Sequence, residues 1–143
     1  MDDLISQDIE TIKKAVKCDI FNKKKVLVTG GAGFIGSWLC DVLIDFGAEV
    51  TALDDLSTGR MQNIDHLIKN SNFKFIKSDV CKFQSAEKFD FILHMAGHAS
   101  PDEYQAHPIE TLQTSALGTF AMAELARKND ANVTICLYFR GIW

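Results

Sequence analysis

A glycine-rich segment with the letters TGGAGFIG begins at residue 29, between a β-branched run and an apolar run with helical spacing. In such a segment one glycine permits a tight turn, a second lets the backbone approach a diphosphate, and a third lets the helix pack on the sheet. The N–H groups at the start of the helix then face the phosphates. Glycines also serve simple turns, but the strand before them and the helix after them favour binding. The residues expected at the diphosphate are Gly30, Gly33, Phe34, Ile35 and Gly36.

A carboxylate follows at the distance that this chemistry requires. Asp54 ends the next strand-like run, EVTALD, about 20 residues past the glycines. A carboxylate there accepts hydrogen bonds from both hydroxyls of the adenosine ribose and repels a 2′-phosphate, which favours NAD over NADP. The alternative is that Asp54 only caps the next turn, although Asp55 can fill that role. The polar turn at the adenosine end is expected to consist of Ser57, Thr58 and Gly59.

Composition and charge argue against several classes of protein. The 143 residues, 47% hydrophobic and 24% charged, fit one globular domain, and the net charge of −4 gives no basic surface for nucleic acid. No apolar run approaches the roughly 20 residues of a membrane helix, and the acidic N-terminus is not typical of a signal peptide. The 4 cysteines form no CxxC pair and the 4 histidines show no metal spacing. We therefore expect no disulfide, no metal and a cytoplasmic location.

Strand-like and helix-like runs alternate along the chain. Ile5, Ile9, Ile12 and Val16 predict an amphipathic helix in an N-terminal extension, residues 1–22. Strands are then predicted at KVLVT, EVTALD, FKFIKS, FDFILHM and VTICLYF, with helices at FIGSWLCDVLIDFG and over residues 108–128, and a weaker one over 60–69. This alternation predicts an α/β fold, a Rossmann-like doubly wound parallel sheet in the order 3-2-1-4-5.

Four motifs, TGGAGFIG, LDDLSTG, SDV and HMAGHASP, occur in that order and give residues 25–130 a family resemblance. The chain resembles the extended short-chain dehydrogenase/reductase family, the NAD-dependent nucleotide-sugar epimerases, dehydratases and decarboxylases. Within that family, the stretch ASPDEYQAHPIETLQTSALGT is most similar to the UDP-glucuronate decarboxylases (UDP-xylose synthases) and next to the dTDP-glucose 4,6-dehydratases. The resemblance implies NAD as the cofactor and a nucleotide-sugar as the substrate of a full-length parent enzyme.

The resemblance also assigns residues that the glycine pattern does not reach. Residues implied at the adenine are Asp79 and Val80, and those implied along the nicotinamide half are Met95, Ala96 and Gly97. Relatives often have Ala or Ser where Gly97 stands. Residues implied near the nucleotide-sugar are Ser100, Pro101 and Tyr104. The alternative for Tyr104 is a surface loop aromatic.

The catalytic pair of the family is absent from this sequence. The resemblance implies oxidation of the sugar at C4 by NAD, then decarboxylation or dehydration and return of the hydride. A Tyr followed four residues later by Lys supplies the base, because the Lys lowers the pKa of the tyrosine. Here Tyr104 and Tyr138 are the two tyrosines, and neither is followed by Lys at that spacing. We therefore name no catalytic residue.

The last eight residues, CLYFRGIW, stand where the family has a segment close to ASTSEVYG. One choice of codons for them, TGC CTC TAC TTC AGA GGT ATA TGG, read one base later encodes Ala-Ser-Thr-Ser-Glu-Val-Tyr and begins a glycine codon. We hypothesise a one-base frame displacement between about Asn129 and Cys136, followed by an early stop. The alternatives are an intended domain boundary or a divergent strand. The nucleotide sequence decides, since other codons at Leu137 to Ile142 would exclude the hypothesis.

An incomplete Rossmann domain over residues 23–143, without a C-terminal substrate domain, has consequences for assembly and activity. The apolar face of the 108–128 helix and the open sheet edge would lack partners, which predicts a homo-oligomer. The expected function is the NAD-binding portion of a nucleotide-sugar-modifying enzyme, without turnover of its own. The alternatives are a non-catalytic dinucleotide-sensing module and an inert structural fragment.

Overall fold

The computed structural model of the chain describes residues 3–16, 18–98 and 100–136. Five parallel strands form one sheet in the order β3-β2-β1-β4-β5. Their bounds are β1 Lys25–Thr29, β2 Glu49–Asp54, β3 Phe73–Lys77, β4 Phe91–His94 and β5 Asn132–Ile135. The fold class and the strand order predicted from the sequence are confirmed. The end of the predicted fifth strand and the tail at 137–143, which motivates the frame hypothesis, lie outside the described residues.

The central strand β1 is apolar because helices cover both faces of the sheet. Val26, Leu27 and Val28 in β1 are fully buried. Parallel strands covered on both sides carry continuous apolar runs rather than an alternating pattern. The short run KVLVT is therefore the signature of a central strand.

Two helices bury apolar side chains on opposite faces of this sheet. Helix α2, Phe34–Asp45, contributes Cys40 and Leu43 to a cluster with Val26 and Val50. Helix α5, Thr119–Asn129, contributes Met122, Leu125 and Ala126 to a second cluster with Leu27 and Ile92. Because neighbouring side chains of β1 point to opposite faces, Val26 and Leu27 belong to different clusters.

The N-terminal helix packs on α2 rather than standing apart. Helix α1 spans Asp3–Ala15, and its Ile9 is buried against Val42 and Phe46. Lys13 forms an ion pair with Asp45 of α2. The proposed domain boundary after residue 22 remains a prediction.

The helix predicted over residues 108–128 is interrupted. It consists of α4, Pro108–Gln113, a π-helical turn at Thr114–Gly118, and α5. A further helix, α3, spans Pro101–Ala106, where the sequence analysis predicted no helix. His107 separates α3 from α4 with a φ of −129° and a ψ of 60°, because the residue before a proline is kept out of the helical region.

The segment predicted to be weakly helical, residues 60–69, forms two 3-10 turns at Met61–Asn63 and Asp65–Leu67. Ile64 and Leu67 are both buried there. Side chains three residues apart lie on one side of a 3-10 turn, so this spacing buries both without a full α-helix.

No helix within the described residues is both long enough and apolar enough to cross a membrane.

Candidate dinucleotide-binding site

A cleft lies at the carboxyl ends of the central strands, where the order of the sheet reverses between β1 and β4. In open parallel sheets this is where ligands bind. Its lining comes from the glycine turn, the segment after β2, the segment after β3, the turn after β4 and the first residue of the π-helical turn. The predicted site residues that line it are Gly30, Gly33, Asp54, Asp55, Ser57, Thr58, Asp79, Val80, Met95, Ala96 and Gly97.

The glycine turn is compact in a way that excludes side chains. Gly30 has a φ of +67°, in the left-handed region that favours glycine. A Cβ at Gly36 would lie 2.0 Å from the carbonyl oxygen of Gly30. At Gly33 the nearest atom to an added Cβ would be that same oxygen at 3.1 Å, so Gly33 is less crowded. Gly30 therefore makes the turn, and Gly36 lets α2 begin against it.

The first turn of α2 presents backbone donors. The N–H groups of Phe34, Ile35 and Gly36 have no acceptor among the described residues, while that of Ser37 donates to the Gly33 carbonyl at 3.0 Å. The side chain of Phe34 is 81% exposed, so only its backbone faces the glycine turn. Unpaired N–H groups and the positive end of the helix dipole together favour a phosphate.

Asp54 is held in place by the backbone around it. Its Oδ2 accepts the N–H of Ala32 at 3.0 Å, and its Oδ1 accepts the N–H of Leu56 at 2.8 Å. Burial raises the pKa of Asp54, while the backbone donors of Leu56 and Ala32 lower it. Each oxygen keeps a lone pair, so the carboxylate can still accept from a ribose hydroxyl.

The segment after Asp54 is built around Asp55. Its Oδ1 accepts the N–H of Ser57 at 2.8 Å and the hydroxyl of Ser57 at 2.6 Å. Asp55 is therefore a turn cap, while Asp54, which also caps Leu56, is the buried carboxylate of the cleft. Gly59 does not line the cleft but lies against Asp54, since a Cβ there would come within 2.6 Å of its Oδ1.

The same segment is tied to the glycine turn. The carbonyl of Ala32 accepts the N–H of Arg60 at 3.0 Å and the side-chain amide of Asn63 at 2.8 Å. The sequence pattern alone did not indicate Asn63, because its partner lies 31 positions away. These contacts fix the polar turn at residues 57–59 relative to the glycine turn.

Two more segments complete the cleft. Asp79 accepts the N–H of Cys81 through Oδ1 at 2.8 Å, and its Oδ2 lies 3.7 Å from Nζ of Lys82. On the other side, Met95 donates its N–H to the carbonyl of Thr29 at 3.1 Å. An added Cβ at Gly30 would lie 2.9 Å from the backbone of Met95 and Ala96, so the glycine turn and the 95–97 turn touch.

The residues expected near the nucleotide-sugar do not line this cleft. Ser100 precedes α3, and Pro101 and Tyr104 lie within it. Both of these side chains are half-buried. Their assignment to a substrate remains a prediction.

Sequence reasoning missed four residues that line the cleft, namely Leu53, Ser78, His98 and Thr114. Ser78 belongs to the quoted SDV motif and Leu53 directly precedes Asp54, so both were within reach of the motif argument. Thr114 begins the π-helical turn, which no periodicity indicated.

The chain was compared with known proteins. The sequence profile of the GDP-mannose 4,6 dehydratase family matches residues 27–140. UDP-glucuronic acid decarboxylase 1 of Danio rerio is 43% identical over 114 residues, which cover 80% of this chain and 27% of that protein. The chain therefore spans about a quarter of the length of that curated relative.

Solved structures show the same fold. UDP-N-acetylglucosamine 4-epimerase from Methanobrevibacter ruminantium M1, in complex with UDP-N-acetylmuramic acid, has a TM-score of 0.69 and 33% identity, covering 77% of this chain and 36% of that one. The UDP-glucose 4-epimerase of Thermus thermophilus, in complex with NAD, has a TM-score of 0.62 and 30% identity, covering 75% and 35%. The family expected from the four motifs is confirmed: the chain belongs to the GDP-mannose 4,6 dehydratase family, among the nucleotide-sugar epimerases, dehydratases and decarboxylases.

Proposed function

We propose that this chain binds NAD and is the dinucleotide-binding portion of a nucleotide-sugar-modifying enzyme of the UDP-glucuronate decarboxylase type, with the dTDP-glucose 4,6-dehydratase type as the nearest alternative. The observation that carries the proposal is Asp54, a buried carboxylate that lines the cleft beside the glycine turn. The helix after that turn begins with N–H donors that have no acceptor among the described residues. Diphosphate and ribose are adjacent in a dinucleotide, so these two features suit one ligand.

The remaining lining residues fit the two halves of NAD. Asp79 and Val80 would border the adenine, with one carboxylate oxygen of Asp79 already held by Cys81. Residues 95–97 would border the nicotinamide half. When bound, NAD supplies reversible acceptance of a hydride from C4 of the sugar, and this chain's residues bind and orient it.

The preference for NAD over NADP rests on charge. Asp54 and Asp55 place two carboxyl groups beside the expected ribose, and Asp54 is only 8% exposed. A 2′-phosphate would meet these groups beside a buried carboxylate, where repulsion between like charges is stronger than in bulk water. The Thermus relative, described in complex with NAD, supports the same preference.

The test is binding of NAD and NADP to the wild type and to Asp54→Asn by calorimetry. The amide of asparagine cannot accept from both Ala32 and Leu56, so one donor faces an NH₂ group and the ribose loses a charged acceptor. We expect NAD affinity to fall at least tenfold, consistent with the loss of hydrogen bonds to a charged group.

Asp65→Asn is the matched control, because Asp65 is exposed in a 3-10 turn away from the cleft and its change in net charge is the same. It should bind NAD like the wild type. The proposal fails if the wild type binds neither dinucleotide, or if Asp54→Asn binds NAD as tightly as the control does.

Turnover by this chain alone is not part of the proposal. No Tyr is followed by Lys four residues later anywhere in the 143 residues. Incubation with NAD and UDP-glucuronate should therefore yield no decarboxylated sugar. Product formation would contradict the proposed inactivity without affecting the proposed binding.

We also propose that the chain assembles with copies of itself. Four large apolar side chains on one helical stretch are exposed, namely Ile109, Leu112, Leu117 and Phe120. Their exposed fractions lie between 56% and 68%. Contiguous apolar surface of this kind marks an interface.

A further inference from the structure

A buried threonine and a buried histidine form a polar pair beneath the cleft. The hydroxyl of Thr29, at the end of β1, lies 2.6 Å from Nδ1 of His94, at the end of β4. Thr29 is fully buried and His94 is 2% exposed. The same hydroxyl oxygen accepts the N–H of Ala96 at 3.2 Å.

The number of protons in this pair decides the state of the ring. The N–H of Ala96 can only donate, so it occupies an acceptor position on the Thr29 oxygen. The one hydroxyl proton of Thr29 has no hydrogen-bond acceptor among the described residues other than Nδ1 of His94, so this buried donor is paired only if Nδ1 accepts. This pairing favours the neutral ring with its proton on Nε2, and burial, which lowers the pKa of His94, favours the neutral form as well.

The other side of the ring faces the π-helical turn. A Cβ added at Gly118 would lie 3.6 Å from Cε1 and 3.8 Å from Nε2 of His94, and 2.9 Å from Cγ1 of Val80. The ring is thus packed between β1 and the helical stretch that supplies Thr114 to the cleft. It has little room to turn away from Thr29.

We propose that His94 is a positioning residue that, as the neutral Nε2–H tautomer, orients the Thr29 hydroxyl and so holds the 95–97 turn against Gly30 at the edge of the dinucleotide cleft. This inference rests on the proposed binding of NAD. It assigns to His94 no contact with the ligand, because its effect passes through Thr29 and the N–H of Ala96.

The first test needs no ligand. Nitrogen chemical shifts of the imidazole, from a ¹⁵N-labelled chain at pH 8, distinguish a protonated ring nitrogen from an unprotonated one. We expect an unprotonated Nδ1 and a protonated Nε2 for His94, assigned by loss of its signals in His94→Asn. A proton on Nδ1 would overturn the inference.

The second test compares two ligands in variants of Thr29. Thr29→Val removes the hydroxyl with little change of shape, and Thr29→Ser restores it. AMP reports on the adenosine end alone, whereas NAD also reaches the 95–97 turn. We expect Thr29→Val to bind NAD about tenfold more weakly, as for loss of a buried hydrogen bond, and AMP unchanged, with Thr29→Ser close to the wild type.

Thr51→Val is the matched control, since Thr51 is a buried threonine of β2 whose hydroxyl makes no hydrogen bond to a described residue. Its NAD affinity should match that of the wild type. Equal NAD affinity in Thr29→Val and Thr51→Val would overturn the inference while leaving NAD binding intact. Absence of NAD binding by the wild type would instead overturn the proposed function, and the tautomer measurement would still decide the state of His94.

The role of the ring is tested by His94→Asn against His94→Leu. The amide oxygen of asparagine can take the place of Nδ1 as acceptor, and leucine cannot. NAD affinity should be kept more fully in His94→Asn than in His94→Leu. The reverse order would contradict a role through the Thr29 hydrogen bond.

Discussion

At the scale of single residues, glycines of the cleft differ sharply in the space around them. A Cβ added at Gly36 would lie 2.0 Å from the carbonyl oxygen of Gly30, whereas nothing lies within 4 Å of a Cβ added at Gly97. Packing therefore requires a glycine at position 36. Packing does not require the glycine at position 97.

This difference predicts opposite outcomes for one chemical change. Gly36→Ala should lower the free energy of unfolding by about 1–3 kcal/mol or more, because the turn or the helix must shift to avoid the overlap. Gly97→Ala, the matched control, should leave it nearly unchanged. Urea unfolding of both variants measures this. Equal unfolding midpoints for the two variants would show that the turn accommodates the added methyl group without loss of stability.

His94 also predicts a pH dependence of stability. Burial lowers its pKa in the folded chain below the ordinary value of 6.5, so the unfolded chain binds the proton more tightly. The stability that the neutral ring contributes is therefore complete above pH 6.5 and is lost as the pH falls below it. Asp54 has the opposite sign, because burial raises its pKa from 3.8, so its effect on stability becomes less favourable as the pH rises above 3.8.

Thermal unfolding between pH 7.5 and pH 5 measures this contribution. The wild type should lose stability over that interval, and His94→Asn should lose less. His107→Asn makes the same substitution at an exposed histidine and should follow the wild type. A wild-type profile that is flat over this interval, or an identical slope in His94→Asn, would contradict the prediction.

At the scale of elements, two interruptions of the helical stretch after β4 determine which of its residues reaches the cleft. Pro108 ends the preceding helix at His107, and the π-helical turn at Thr114–Gly118 brings Thr114 to the cleft. π-helical turns occur often at functional sites. Gly118 then lets the helix approach Val80 and His94, which a larger residue would prevent.

Helix α1, which packs on α2, is the element whose contribution to the free energy of unfolding is easiest to measure. Ile9 is 4% exposed against Val42 and Phe46, so Ile9→Ala should cost about 2 kcal/mol or more if α1 unfolds together with the sheet. Val16→Ala, at a side chain that is 47% exposed, is the control and should cost little. A negligible effect of Ile9→Ala on thermal unfolding would instead support an independent extension over residues 1–22.

At the scale of the whole molecule, the four exposed apolar side chains on α4, the π-helical turn and α5 are the feature that predicts assembly. Light scattering of the wild type should show a homo-oligomer. A double variant, Leu112→Glu with Phe120→Glu, should dissociate it, because charged groups would be buried without partners. Ile20→Glu, at an isoleucine 54% exposed elsewhere on the surface, should leave assembly unchanged. A monomeric wild type would refute the prediction.

Much of the fold was predictable from local patterns. Apolar runs such as KVLVT and EVTALD report burial on both faces of a parallel sheet, and the glycines at 30, 33 and 36 report a turn into a helix. The position of Asp54 at the end of β2 follows from the same pattern. These features depend on residues close together in sequence, so composition and spacing were sufficient.

Other features were decided by contacts between distant parts of the chain. Thr29 meets His94 across 65 positions, and Asn63 meets Ala32 across 31. The π-helical turn of the long helix ends at Gly118, which packs against Val80 and His94 from other parts of the chain. No periodicity encodes which polar groups meet once the sheet is assembled. The sequence by itself determined the parallel sheet and its glycine turn, whereas only tertiary packing decided which buried hydrogen bonds hold that turn in shape.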